Sequence, residues 1–389
     1  MLNFKTLKQA DLNNKRALMR VDFNVPMGED LEIDKSECWR IEATIPTLKY
    51  LIKQKAKIIL IAHLGRPGGK KVEKLSFKPI IEELAKLLKK KILFSEEITG
   101  WSVEKKVERM KFGDILMLEN IRFKSGEEKN SPKLAEELAK LGDIFINEAF
   151  ANSHRSHASV VGIPKYLPSV AGFLFEKEIE ELNKVLKNPK QPLVAIIGGA
   201  KISTKIKVIN KFLKIADKTL IGGALANTIY AAQGIFIGDS VIEKEAFCEV
   251  KKINLKNPKL FLPSDLGLYF KDGKVFYREF NEIKKGEKAL DIGPKAIDLF
   301  CDVISSAKMV IWNGPLGFYT QKPFDKSSVE IAKAIFKSRA YSVVGGGDTT
   351  AFLREIKMNK AFNHVSTGGG AMLDYLANET FPGIQAIEK

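Results

Sequence analysis

The stretch KMVIWNGPLGFYTQKPFDKSSVEIAKAIFKSRAYSVVGG (308–346) decides the fold class, because it contains one complete strand–helix–strand unit. Its two ends, KMVIWNG (308–314) and AYSVVGG (340–346), are short apolar and β-branched runs that are typical of buried strands. Between them, KSSVEIAKAIFKS (326–338) has the apolar spacing of an amphipathic helix. This succession predicts a parallel strand pair that is covered by a helix, as in α/β proteins.

The same alternation recurs along the whole chain of 389 residues, a length that suggests roughly two or three domains. The first half has strand candidates at ALMRVDF (17–23), KIILIAH (57–63), DILML (114–118) and DIFINEA (143–149), with an amphipathic stretch at 76–90. The second half adds LVAIIG (193–198), KTLIGG (218–223) and KLFLP (259–263). Two parallel sheets of moderate size are expected in preference to a single very wide one.

A charged helix separates the two halves. FEKEIEELNKVLKNPKQP (175–192) predicts a helix over 175–187 that is ended by Asn188-Pro189 and Pro192. We therefore predict a first domain at 1–170, a connecting helix at 171–187 and a second domain at 188–374. The closing PGIQAIEK is ambiguous between a frayed end and a tail that packs elsewhere.

The composition and the length of the apolar runs indicate the cellular compartment and whether the protein binds a membrane. No apolar run approaches the roughly 20 residues of a membrane span, and the N-terminus lacks a signal-peptide core. Cys38, Cys248 and Cys301 are odd in number and far apart, which fits a reducing compartment. We expect a cytoplasmic protein with no membrane partner.

The net charge of +16 has two interpretations. Clustered lysines can bind nucleic acid, but these lysines lie in mixed runs such as KKVEK (70–74), without interleaved aromatic residues. A lysine-rich surface is the favoured interpretation, so no nucleic-acid partner is expected. The positive field still attracts small phosphorylated anions.

Polar residues that follow the strands of the first half predict an anion site, since ligands of parallel sheets bind at the carboxyl ends of strands. Arginine suits phosphate or carboxylate, and acidic or amide side chains can accept hydrogen bonds from a substrate hydroxyl. His154 and His157 can also share a metal ion, but no third ligand is near. The candidates are Asp22, Asn24, Arg40, His63, Arg66, Arg122, His154, Arg155 and His157.

Glycine clusters follow the strands of the second half and predict a phosphate-binding edge. There is neither a GxxxxGK[ST] loop nor a GxGxxG fingerprint. Lys201 and Lys205 lie four residues apart. We expect both in the opening turns of a helix, with their side chains on the same side. Asp348 is a candidate Mg²⁺ ligand, with helix capping as the alternative. The Gly368–Gly370 amides can either form a tight turn or stabilise a transferring phosphoryl group.

Taken together, these segments resemble the phosphoglycerate kinase family, in the family's order and over nearly the whole chain. The matching motifs are RVDFNVP (20–26), HLGRP (63–67), LENIRF (118–123), HRSHAS (154–159), GGAKIS (198–203), DIGPK (291–295), WNGPLG (312–317), GGGDTT (345–350) and STGGGA (366–371).

The resemblance implies two Rossmann-like domains joined by a helix and hinge, with a tail from about 375 to 389 that returns to the first domain. It implies reversible phosphoryl transfer between 1,3-bisphosphoglycerate and ADP-Mg by a monomer. Asp22, Asn24, Arg40, His63, Arg66, Arg122 and Arg155 resemble the triose binders. Lys201, Lys205, Gly346, Gly347, Asp348 and Thr349 resemble the nucleotide and magnesium side. Arg40, Lys201, Gly369 and Gly370 resemble the catalytic groups.

The chain departs from the family pattern in three places. Thr320 stands where the family usually has a glutamate that binds the nucleotide ribose, so a weaker ribose contact and an inactive relative of this fold are the alternatives at this position. NEAFANSH and GGALANT replace the more usual NDAFG-type and GGGMxxTF-type stretches. A dehydrogenase that uses the glycine clusters for NAD, and a nucleic-acid-binding protein, are the alternatives from other classes.

Overall fold

Parallel strands make up both large sheets of the computed structural model, which describes residues 3–26, 28, 33, 37–270 and 273–388. The chain forms two units, 1–180 with 380–389, and 181–379. The helix α6 (Phe173–Leu186) contains the point at which the chain passes from the first unit to the second.

The sheet of the first unit has six strands in the order β3-β4-β2-β1-β5-β6, all in parallel pairs. The strands are β1 (Arg16–Arg20), β2 (Lys57–Ile61), β3 (Leu93–Ser95), β4 (Ile115–Leu118), β5 (Ile144–Asn147) and β6 (Ser169–Ala171). Arg20 pairs in register with Ile61 on one side and with Asn147 on the other. The residues that follow these three strands therefore emerge at one level of the same edge.

Helices cover this sheet on both faces, because alternate strand residues point to opposite sides. Met19 and Leu60 lie in one buried cluster with α2 and α3 residues, whereas Leu18 and Ile59 lie in another with α4 and α5 residues. The helices are α1 (Trp39–Glu42), α2 (Ile45–Lys53), α3 (Lys78–Leu88), α4 (Trp101–Arg109) and α5 (Pro132–Ala139).

The large sheet of the second unit is also parallel and has the order β15-β14-β13-β7-β8-β9. Its strands are β7 (Leu193–Ile197), β8 (Lys218–Ile221), β9 (Leu260–Phe261), β13 (Met309–Asn313), β14 (Tyr341–Gly345) and β15 (His364–Val365). A separate antiparallel sheet, ordered β11-β10-β12, is formed by β10 (Asp265–Tyr269), β11 (Val275–Glu279) and β12 (Lys288–Ile292).

Helices lie between and after the strands of the second unit. They are α7 (Ile206–Ile215), α8 (Ala224–Ala232), α9 (Phe247–Val250), α10 (Pro294–Ser305), α11 (Lys326–Ser338), α12 (Gly347–Glu355) and α13 (Gly369–Asn378). Trp312 of β13 is fully buried, and its ring lies 6.4 Å from that of Phe352 and 6.3 Å from that of Phe362. This cluster joins the sheet to α12 and the segment after it.

The last ten residues belong to the first unit, and they carry α14 (Pro382–Gln385). The Phe381 ring packs 5.6 Å from the ring of Phe150 and 6.2 Å from that of Phe175. The backbone N–H of Gly383 donates to the carbonyl of Ser153 at 2.7 Å. The C-terminal segment that belongs to the first unit starts at Thr380, after the end of α13. The tail predicted from the sequence starts a few residues earlier, at about 375.

The predicted fold class is confirmed, since two parallel six-stranded sheets are flanked by helices. Every predicted strand is present, and each leaves out one or more residues at an end of its apolar run. The sequence prediction missed β3, β6 and β15, which are three residues or fewer, and the antiparallel sheet. Strand β11 has an exposed, mixed composition and gives little signal of burial.

Candidate active site

The candidate site of the first unit lies at the carboxyl edge of its sheet. Asp22 follows β1 and is buried, and His63 follows β2 with 4% of its surface exposed. Arg122 lies in a short 3-10 turn after β4 and is 5% exposed. Because β1, β2 and β4 are neighbours in the sheet, residues that are far apart in sequence are brought to the same edge.

Arg40 is held on the short helix α1 by an ion pair to Asp22. Its Nη1 lies 2.8 Å from Oδ2 of Asp22, and its guanidinium carbon lies 4.8 Å from the ring centroid of Trp39. The carboxylate of Glu37 is 3.9 Å from Nε of Arg40. These contacts orient a guanidinium that keeps about a fifth of its side chain exposed. Arg40 is thus positioned to reach a ligand while its own charge is balanced.

Arg122 is held by a backbone carbonyl and a carboxylate. Its Nη1 donates to the carbonyl of Gly65 at 2.7 Å, and its Nε lies 3.2 Å from a carboxylate oxygen of Glu128. Burial lowers the pKa of Arg122, and the positive charges of Arg155 and Arg66 lower it further. The three predicted arginines therefore lie close enough to repel one another. Such a group is stabilised by an anion between them.

His63 lies inside this positive field. Burial lowers the pKa of His63 well below its ordinary 6.5, and Arg20, Arg122, Arg155 and His157 lower it further. The side chain of Asn24 fixes the following loop, since its Oδ1 accepts a hydrogen bond from the backbone of Gly65 at 2.9 Å. The imidazole is therefore neutral and can act as a hydrogen-bond partner.

The two remaining histidines of this edge also lie among arginines. Nε2 of His154 is 3.4 Å from Nε of Arg155, and Nδ1 of His157 is 3.7 Å from a carboxylate oxygen of Glu127. Burial and the neighbouring arginines lower the pKa of His157 to about 4. Within the described ranges, no group of three or more His, Cys, Asp or Glu residues could hold a metal ion.

In the second unit, glycines allow strand ends and helix starts to approach closely. A Cβ atom on Gly314 would lie 2.2 Å from the carbonyl oxygen of Gly198, which excludes any side chain there. A Cβ on Gly369 would lie 2.7 Å from Cα of Gly346 and 3.1 Å from N of Gly347. The first turns of α12 and α13 therefore meet, and their free amides can bind phosphate oxygens together.

The structure corrects the predicted placement of the two lysines. Helix α7 begins at Ile206, so Lys201 lies in the preceding loop, and Lys205 is the cap residue rather than part of the opening turns. Lys201 is exposed, whereas Lys205 is buried, with Nζ 2.5 Å from the carbonyl of Gly198 and 3.3 Å from that of Asn313. Backbone carbonyls contributed by the ends of β7 and β13 draw the Lys205 ammonium inwards, so the lysines differ in exposure.

Asp348 is exposed in the first turn of α12, and its capping alternative is not supported, since Gly346 is the N-cap residue. Burial lowers the pKa of Lys205 to about 8, although the negative charge of Asp348 acts in the opposite direction. Thr349 is buried and its Oγ1 accepts a hydrogen bond from the backbone of Gly314 at 2.8 Å. A carboxylate beside a helix start is a suitable ligand for a phosphate-bound divalent cation.

A cavity of about 500 Å³ opens beside Asp348. Its walls are mostly apolar and include Val241, Leu266, Tyr269 and Phe318, with Thr320 among the few polar side chains. An apolar cleft that ends at glycine amides and a carboxylate suits a nucleotide, with the base in the cleft and the phosphates at the glycines.

Two residues that shape these sites received no role from sequence reasoning. Asp291 is the first residue of the DIGPK motif, and its carboxylate accepts a hydrogen bond from the backbone N–H of Ser327 at 3.1 Å, which anchors the first turn of α11. Burial raises the pKa of Asp291 to about 7. Arg20 is 1% exposed within β1 and contacts His63. A charged residue inside an apolar strand is the signal that could have identified Arg20.

Comparison with a family model and with curated proteins gives the same family in each case. The family model described as phosphoglycerate kinase matches residues 7–379. The chain is 44% identical over 390 residues to the phosphoglycerate kinase of Pseudothermotoga lettingae, covering 98% of each chain. It is 43% identical over 399 residues to that of Chloroflexus aggregans, covering 100% of this chain and 99% of the relative.

Solved structures agree. The phosphoglycerate kinase of Coxiella burnetii matches with a TM-score of 0.86 and 35% identity, covering 99% of this chain and 98% of that one. The phosphoglycerate kinase of Pyrococcus horikoshii matches with a TM-score of 0.85 and 30% identity, covering 98% of each. Among the described residues, no helix is long and apolar enough to cross a membrane.

Proposed function

Because the chain belongs to the phosphoglycerate kinase family, we propose that it transfers the acyl phosphoryl group of 1,3-bisphosphoglycerate to ADP reversibly, giving 3-phosphoglycerate and ATP. The family consists of kinases that transfer phosphate to a carboxyl group and use ADP or ATP. The reaction belongs to glycolysis and gluconeogenesis. The dehydrogenase and nucleic-acid alternatives are set aside, since neither is the activity of this family.

The observation that carries the proposal is the concentration of cations at the carboxyl edge of the first sheet. Three arginines and a neutral histidine lie near one another there, and Arg40 is held beside Asp22 at 2.8 Å. A phosphate and a carboxylate on a three-carbon chain would neutralise this edge. We assign triose binding to Asp22, Asn24, Arg40, His63, Arg66, Arg122 and Arg155.

We assign the nucleotide to the second unit, with its base in the apolar cavity and its phosphates near the first turns of α12 and α13. The groups that would bind it are Lys201, Lys205, Gly346, Gly347, Asp348 and Thr349. Asp348 fits Mg²⁺, because this ion takes one or two carboxylates and leaves its other positions to phosphates and water. When bound there, the ion would neutralise charge on the nucleotide phosphates.

We propose direct in-line transfer without a phosphorylated enzyme. In the direction of ATP consumption, a carboxylate oxygen of 3-phosphoglycerate forms a bond to the γ-phosphorus while the bond from phosphorus to the ADP oxygen breaks. Little proton transfer is needed, so positioning and charge neutralisation dominate. Arg40, Lys201 and the amides of Gly369 and Gly370 would stabilise the equatorial oxygens of the transferring group.

The substrates are assigned to different units, so the reaction requires the units to move together about a hinge. We propose that the segments near 170–192 and 375–380 bend, and that the predicted domains 1–170 and 188–374 act as the moving bodies. Small-angle scattering of the chain with both substrates should show a smaller radius of gyration. We further propose that the enzyme works as a monomer in the cytoplasm.

The decisive experiment is a coupled assay that supplies 3-phosphoglycerate and ATP-Mg and measures the acyl phosphate formed. The expected result is turnover that requires all three components. Turnover is expected to fall in Asp348→Asn if this carboxylate holds the ion, and additional Mg²⁺ should restore part of it. A purified, folded chain without turnover under these conditions would overturn the proposed function.

A further inference from the structure

A buried polar chain connects Glu127 to His63 inside the first unit. Glu127 and Ser159 are fully buried, and Arg20 and His63 are 1% and 4% exposed. The carboxylate of Glu127 accepts hydrogen bonds from the backbone N–H of Ser159 at 2.9 Å and from its Oγ at 2.6 Å. Oγ of Ser159 in turn accepts from Nε of Arg20 at 2.9 Å. Nε of Arg20 is thus occupied by Ser159, and the two Nη atoms of the guanidinium remain for other partners.

The far side of the Arg20 guanidinium fixes the imidazole of His63. Nη1 of Arg20 donates to the carbonyl oxygen of Val21, and Nη2 lies 3.2 Å from Nδ1 of His63. A guanidinium has five donors and no acceptor, so Nδ1 must be the acceptor of this hydrogen bond. In a neutral imidazole, the ring proton then resides on Nε2.

Burial and, after it, the charges around the ring keep His63 neutral. The pKa of His63 is lowered by charged neighbours from three parts of the sheet edge, and each of them disfavours a positive imidazole. They are Arg20 of β1, Arg122 after β4, and Arg155 and His157 after β5. The charge of Arg20 is balanced by Glu127 and by Asp22, which leaves the arginine itself protonated. No described residue accepts a hydrogen bond from Nε2 of His63, and this nitrogen belongs to the edge assigned to the triose.

We propose that Arg20 is a positioning residue that holds His63 as the neutral Nε2–H tautomer, so that Nε2 donates a hydrogen bond to an anionic oxygen of the three-carbon substrate. This inference rests on the proposed function, which assigns that edge to the triose. The surrounding arginines supply charge, whereas His63 supplies an oriented donor. Without Arg20, Nδ1 is free to take the proton, and the lone pair of Nε2 would then face the substrate anion.

The consequence is a substrate affinity that does not depend on the titration of this histidine. With Arg20 present, burial and the neighbouring positive charges disfavour a second proton on the ring, so we expect it to stay neutral around neutral pH. In Arg20→Met, one positive charge and the hydrogen bond to Nδ1 are lost, whereas burial, the largest cause of the lowered pKa of His63, and the charges of Arg122 and Arg155 remain. The KM for 3-phosphoglycerate should then rise about 10- to 100-fold at pH 8, the range expected for a lost hydrogen bond to a charged group.

The first test is the tautomer of His63 in the substrate-free chain, read from two-bond ¹H–¹⁵N correlations of ¹⁵N-labelled histidine. The chain has only four histidines, so a His63→Gln spectrum assigns the signal directly. The expected signal is that of a neutral Nε2–H ring at every pH from 5.5 to 8. An Nδ1–H ring, or a ring that becomes protonated near pH 6.5, would overturn the proposal without any variant of Arg20.

The second test compares Arg20→Met with Arg20→Lys, which keeps the charge and a donor. The expected result is a changed tautomer and a raised KM in Arg20→Met, with both partly restored in Arg20→Lys. Arg16→Met is the matched control, since Arg16 lies on the same strand and pairs with Asp143. An unchanged tautomer and an unchanged KM in Arg20→Met would refute the role.

The two readouts separate this inference from the proposed function. The tautomer is measured without substrate, so an inactive chain with the Nε2–H ring would contradict the function alone. An active chain with the Nδ1–H ring would contradict the role of Arg20 alone. If Arg20→Met does not fold by circular dichroism, the native spectrum and Arg20→Lys still decide the question.

Discussion

Glu148 is a fully buried carboxyl group at the end of β5, where it meets the first turn of α6. Its oxygens accept hydrogen bonds from the backbone of Leu174 at 3.2 and 3.3 Å, and Oγ1 of Thr47 also donates to it. Burial raises the pKa of Glu148 to about 8, which outweighs the opposite effect of these hydrogen bonds. In the folded chain this carboxyl group is therefore mostly protonated at neutral pH.

We predict that Glu148→Gln becomes more stable, relative to the parent, as the pH rises. In the unfolded chain Glu148 releases its proton near its ordinary pKa of 4.5, whereas the folded chain keeps it to about pH 8. The unfolded state thus binds fewer protons in this window, and the parent loses stability as pH increases. At about 1.4 kcal/mol for each tenfold difference in proton affinity, the loss between pH 5 and pH 8 is about 3 kcal/mol. Glutamine has no proton to lose.

The assay is urea unfolding followed by tryptophan fluorescence from pH 5 to pH 8. A Trp312→Phe background leaves Trp39 and Trp101, both in the first unit, as the emitting residues of a chain with three tryptophans. Glu136→Gln serves as the control, because Glu136 is exposed on α5. The free-energy difference between Glu148→Gln and its parent should grow by about 3 kcal/mol across the range. Parallel pH profiles for the two chains would refute the reasoning.

Three further outcomes follow from the candidate site. Arg40→Ala should lower kcat about 10³-fold in the coupled assay, since its guanidinium is assigned to the transferring group, and normal turnover with a raised KM alone would contradict that role. Gly369→Ala should lower kcat at least about 10²-fold, because its Cβ would lie 2.7 Å from Cα of Gly346; unchanged steady-state kinetics would show that the amides are not used. Thr320→Glu should tighten ADP binding about tenfold in calorimetry by accepting hydrogen bonds from the ribose hydroxyls, with Thr320→Gln as its control, and an unchanged Kd would place the ribose elsewhere.

The predictable part of the molecule follows from local chemistry. Apolar runs with β-branched residues form strands wherever both faces are covered, so the positions of β2 and β13 could be read from their residues. Parallel strands end at the same edge of a sheet, so the sequence also predicted that His63 and Arg122 would lie near each other. Neither inference needs to know how distant segments pack.

The placement of the two lysines shows where local patterns stop being sufficient. The spacing of Lys201 and Lys205 fits a helix, yet α7 begins only after them, and Lys205 turns inwards to the carbonyls of Gly198 and Asn313. The second of these carbonyls lies 108 residues further along the chain. A contact across that separation leaves no periodic trace, so only the assembled sheet reveals it.

The amino-acid sequence by itself determined the fold class, the positions of the long buried strands and the set of charged side chains at their ends. These depend on composition and spacing within short segments. Tertiary structure alone decided the protonation of buried groups such as Glu148 and the orientation of His63 by Arg20. Burial and neighbouring charges set these properties, and both arise only when segments such as β1, β2 and β5 are packed together.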